Sequence, residues 1–119
     1  MSKATINSLQ LLRASFAQKI AACKCPETDV RINRVYLPLY EISAVLLLAV
    51  QEAKKTDYRD SLENRAALSL VKKRIAEIRL AAQRTYHVPG YKHYAKITGL
   101  AETEHEIVAL QEIANDLLA

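Results

Sequence analysis

Only two glycines and three prolines occur in 119 residues, and this scarcity narrows the folds open to the chain more than any other feature. A sheet protein turns about every 8–12 residues, and it draws on glycine and proline to do so. Long helices with few connections are the economical solution. Half the residues are apolar and a quarter charged, an ordinary globular balance that argues against disorder. The length fits one domain with a modest core that needs no staples.

Apolar spacing divides the chain into four helical segments. The first runs from about Ala4 to Cys23, with Ile6, Leu9, Leu12, Phe16 and Ile20 three or four residues apart. Pro26 breaks it within a Lys24–Asp29 connection, where Thr28 or Asp29 can cap the next helix. The second spans about Val30 to Lys54 on a stripe of Val35, Leu39, Ile42, Leu46, Ala49 and Ala53. Val45, Leu47, Leu48 and Val50 make it apolar nearly all round, which predicts burial on more than one side. Pro38 removes a backbone donor, so a kink is expected there, or a start near Leu37 with Pro38 in the first turn. After Lys54–Asp57, with Asp57 as cap, a third helix from about Tyr58 to Tyr86 carries Leu68, Val71, Ile75, Ile78 and Ala82 inward. Pro89 suits the first position of a fourth segment reaching Leu118, with Ile97, Leu100, Thr103, Ile107, Leu110, Ala114 and Leu117 as its stripe. Four segments of roughly 20–29 residues are rods about 30–43 Å long. Short links make neighbours antiparallel, so the expected fold is all-α, an antiparallel up-down-up-down four-helix bundle.

Charge is distributed unevenly along the chain. The net charge is +4, but Arg65 to Lys96 holds eight Lys/Arg (65, 72, 73, 74, 79, 84, 92 and 96) against Glu77 alone, a balance of +7. From Ala101 onward five acids (102, 104, 106, 112 and 116) stand without a base, a balance of −5. Arg65, Lys72 and Arg79 recur every seven residues and so line one outer stripe, with Lys73 alongside. A solvated face usually alternates sign to gain support between residues four apart. Here adjacent cations repel, and Lys92 and Lys96 oppose the dipole at the start of the fourth helix. Features that cost local stability point to a surface for a polyanion or an acidic partner. The candidate binding residues are therefore Arg65, Lys72, Lys73, Arg74, Arg79, Arg84, Lys92 and Lys96.

Motifs of catalysis are missing. There is no phosphate-cradling glycine loop, nucleophile elbow or metal motif. Cys23 and Cys25 are too close for paired zinc ligands and have no second pair, so they read as reduced thiols. Glu102 and His105 have carboxylate-bundle spacing, but no second copy of the pattern exists. The expectation is a non-enzyme without cofactor or metal. The N-terminal stretch has no signal-like apolar run, and Ile42–Val50 is far shorter than a span of about 20 residues. A cytoplasmic protein with no membrane partner is expected.

The stretch RAALSLVKKRIAEIRLAAQRTYHVPGYKHYAKITGLAETEHEIVALQEIANDLL, Arg65 to Leu118, resembles the accessory variability determinant (Avd) proteins of diversity-generating retroelements. It is similar also to the wider group of small four-helix bundles related to those encoded in ribosomal-RNA intervening sequences. The carrying features are Ile78-Arg79-Leu80-Ala81, an aromatic after the turn (Tyr91 or Tyr94), and Ile113-Ala-Asn-Asp-Leu117. Upstream, Cys25-Pro26 followed by Arg31 and Arg34 is similar to the family's entry to its second helix. The chain departs from the family pattern at Ala114, where the family often has glycine, and in having no tryptophan. The resemblance implies a homo-oligomer, a pentamer in this family, that binds structured RNA and a reverse transcriptase through a basic surface and supports mutagenic cDNA synthesis. Arg79 best matches a family position.

A second reading makes the chain an assembly module whose basic face meets its own acidic helix or an acidic protein. An enzyme using His87 or His93 comes third. The segment Arg84–Gly99 reads as a helical hairpin turn, with Tyr91 and Tyr94 either capping the core or stacking on bases.

Overall fold

The structure, a computed structural model, describes residues 3–53, 62–86 and 100–118. All the elements in these stretches are helical: α1 (Lys3–Ala21), a π-helical turn (Ile32–Tyr36) running without a break into α2 (Leu37–Ala53), α3 (Leu62–Tyr86) and α4 (Leu100–Leu118). The fold is all-α, with four helices among the described residues. The expected connection at Lys54–Asp57, the cap at Asp57, the hairpin turn around Pro89 and the positions of Ile97, Lys92 and Lys96 lie outside the described residues.

The spacing of apolar residues is what places the core. Leu9 and Phe16 of α1 are fully buried, with Ile6, Leu12 and Ile20 packed beside them. They meet Leu39, Ile42, Leu46, Ala49 and Val50 of α2, Leu68, Ile75, Ile78 and Ala82 of α3, and Ile107, Leu110, Ala114 and Leu117 of α4. α1 packs chiefly on α2, and α3 chiefly on α4. Burial of the Leu, Ile, Val and Phe side chains among them, at about 1.5–3 kcal/mol each, is the main force holding the four rods together.

Entry to the second helix is fixed by Asp29. Its Oδ1 accepts the backbone N–H of Arg31 at 2.9 Å and of Ile32 at 3.4 Å, an N-terminal cap of the kind expected there. The Arg31 guanidinium folds back on the same carboxylate, with Nη2 2.8 Å from Oδ2. Asn33 Nδ2 donates to the carbonyls of Pro26, Glu27 and Asp29, which ties the connection to the first turn.

Pro38 stands in the first turn of α2, which begins at Leu37, one of the two arrangements expected. The helical path is nevertheless already running when it arrives, and the π turn before it lets Leu37 N–H reach the carbonyl of Ile32, five residues back. The wider turn makes room for a ring that would collide with an α-helical carbonyl.

α2 packs against all three other helices, as its nearly all-round apolar character leads one to expect. One face stays uncovered, with Val45 and Leu48 48% and 63% exposed, because an apolar sequence does not create a neighbour for every side. The helix Ile32–Glu52 is by length and composition apolar enough to cross a membrane, and 44% of its apolar 18-residue stretch is buried inside the fold. The shorter run Ile42–Val50 had hidden that property.

Candidate nucleic-acid interface

α3 carries the cations on the flanks and back of a helix whose inner stripe is Leu68, Ile75, Ile78 and Ala82. With 3.6 residues per turn, Lys73 and Arg84 project almost directly away from that stripe. Both are exposed, as are Arg65, Lys72 and Arg74. Arg79 is half-buried.

The heptad stripe does not simply face water. It runs along the seam between α3 and α4, and two of its three cations are engaged there. Arg65 Nη2 donates to the carbonyl of Leu118 at 2.8 Å, closing the end of the last helix where free carbonyls collect. Arg79 makes an ion pair with Glu104 through Nε and Nη2, and its Nη1 donates to Gln111 Oε1 at 3.3 Å. Lys72, between them, has no ion pair among the described residues. Arg74 meets Glu77 at 3.4 Å, a surface pair with both side chains about half exposed. Such a pair contributes little, about 0–1 kcal/mol.

Lys72, Lys73 and Arg84 therefore form the uncommitted part of the surface. They are exposed and free of ion pairs among the described residues, and phosphate contacts need cations in this state. Lys92 and Lys96 lie outside the described residues.

No family model, curated protein or solved structure matches this chain.

A second polar group sits where α1, the π turn and α4 meet. Lys19 Nζ lies 2.7 Å from Glu106 Oε1, and Glu106 is buried. The same ammonium stands 5.2 Å from the centre of the Tyr36 ring. Tyr36 Oη and Thr103 Oγ1 share a buried hydrogen bond of 3.0 Å. A buried carboxylate is tolerable only with such a partner. Nothing in the sequence spacing announced Lys19, because its role depends on which helix lies opposite.

The thiols do not converge with other ligands. Cys23 Sγ donates to Asp29 Oδ2 at 3.4 Å, and Cys25 is exposed. Glu102 and His105 are both exposed on α4. No three His, Cys, Asp or Glu side chains converge as a metal site among the described residues. The Arg31 side chain, through its hydrogen bond, holds the Asp29 carboxyl down at about 2, against the opposing effect of burial.

Proposed function

We propose that this chain is a non-enzymatic accessory protein that binds nucleic acid, structured RNA or cDNA, together with a reverse transcriptase. In this reading it supports mutagenic cDNA synthesis in a diversity-generating retroelement, as the Avd-like stretch Arg65–Leu118 implies. The observation that carries the binding half is the trio Lys72, Lys73 and Arg84, exposed on one helix and free of ion pairs among the described residues. The protein acts in the cytoplasm, without cofactor or membrane, as a homo-oligomer; the resemblance implies a pentamer. Its helices take the antiparallel up-down-up-down order. Cross-helix pairs support that order: Arg13 with Tyr40, Lys19 with Tyr36, Arg65 with Leu118, and Arg79 with Glu104. In each pair of helices, later residues of one meet earlier residues of the other.

The test is RNA binding across a salt titration, using the full chain and Lys72/Lys73/Arg84→Ala. Affinity should fall steeply with salt, and the slope should flatten by roughly one unit for each phosphate that the variant no longer touches. Binding that is indifferent to salt, or unchanged in the variant, would sink the reading. Arg65 and Arg79 are poor choices for this test, since each also holds α4.

A second reading, an assembly module whose basic face meets an acidic helix, draws support from the Arg79–Glu104 pair. It predicts association without nucleic acid that dissolves in high salt.

A further inference from the structure

Away from the basic helix, α1 holds a cation that has no anion among the described residues. Arg13 of α1 lies over the Tyr40 ring of α2, 4.8 Å from its centre, and its Nη2 donates to Tyr40 Oη at 3.3 Å. Its Nε is buried with no acceptor among the described residues. No carboxylate pairs with Arg13 among the described residues. A guanidinium cannot shed its charge in a protein, so the missing anion is a standing cost. Arg13 lines a groove of about 280 Å³ between α1 and α2, walled by Gln10, Ala14, Ala17, Tyr40 and Leu47. The two alanines leave room for a helix to approach closely.

The outer face of α2 supplies the complement. Leu37, Val45 and Leu48 are exposed, and Glu41 stands among them four residues from Leu37 and four from Val45. No other described carboxylate has exposed apolar side chains four residues to either side. Glu41 is exposed and has no ion pair among the described residues. The chain thus carries both an apolar stripe with one acid and a groove with one base, each without an ion pair among the described residues.

We propose that the α2 stripe of one copy seats against the α1–α2 groove of a second copy, with Glu41 of one pairing with Arg13 of the other. Apolar burial supplies the driving force, and the ion pair sets the register. A two-fold pair satisfies both contacts at once, while a ring passes stripe to groove around the circle; the contact is the same. This rests on the self-association part of the function proposed above and needs nothing from its nucleic-acid part.

The experiment is light scattering and sedimentation of the full chain, without nucleic acid, over a wide concentration range. The chain should associate. Glu41→Arg and Arg13→Glu should each weaken association at least tenfold, and the double Arg13→Glu/Glu41→Arg should restore it. Leu48→Glu should also dissociate the assembly. If Arg13→Glu fails to fold by circular dichroism, Glu41→Arg and Leu48→Glu, both at exposed positions, still decide the matter. A chain that stays monomeric at every concentration overturns this contact and the homo-oligomer together. An assembly that Glu41→Arg and Leu48→Glu leave intact overturns this contact alone. A monomer that takes an acidic amphipathic peptide in the groove assigns it another occupant and equally overturns the proposal.

Discussion

Asp29 shows how one side chain can serve an element and set an acid limit. It caps the second helix, accepts Arg31 from side chain and backbone, and takes the Cys23 thiol. Its carboxyl sits at about 2 instead of 3.8, because the Arg31 side chain favours the charged form more strongly than burial opposes it. A carboxylate with a lowered folded-state value contributes stability above its unfolded value and loses it as pH falls towards the folded one. The contribution, about 2 kcal/mol, should be complete above pH 5 or so, mostly lost at pH 2 and gone near pH 1. Asp29→Asn keeps a capping oxygen but loses the charge. Urea unfolding at a series of pH values should show it less stable by about 1–2 kcal/mol at neutral pH and converging on the parent towards pH 1. A gap that stays at its neutral-pH size down to pH 1 would assign the loss to the cap geometry instead.

Among the elements, α3 and α4 mark the boundary of what sequence spacing can tell. Their inner stripes were legible, because apolar residues three and four apart can only be gathered by a helix facing a core. Ile75, Ile78, Ile107 and Leu110 lie where that spacing puts them. The role of Arg79 was not legible, since a helix flank can be assigned only once its neighbour is known. The acids of α4 made a partner available, but sequence does not record that Glu104 lies opposite. The same limit applied to Val45 and Leu48, whose apolar pattern is identical whether or not another surface covers them. Pro38 announced a disturbance, and the remedy, an extra residue in the preceding turn, has no composition of its own. Arg79→Ala should cost about 1 kcal/mol in thermal or urea unfolding, because the pair with Glu104 is about a third exposed and screened by water. Glu104→Ala should cost about as much, and the double variant should cost clearly less than the two combined. Strict additivity would mean that the pair contributes nothing.

For the whole molecule, a net charge of +4 means that each uncommitted cation repels the rest. Lys72, Lys73 and Arg84 hold no acid among the described residues, so Lys72/Lys73/Arg84→Ala should leave stability within about 0.5 kcal/mol of the parent. At low ionic strength its melting temperature should match or exceed the parent's, and the difference should shrink as salt is added. A marked loss of stability would show these residues to be scaffolding. The described part of the protein measures 48 × 23 × 22 Å, and its basic α3 and acidic α4 lie side by side. Between these two helices positive and negative charge are therefore separated across the narrow waist, which makes the pair a transverse electric dipole. In the field of a polyanion such a pair would experience a torque before it touched anything. The torque would roll it about its own length, to present α3 broadside.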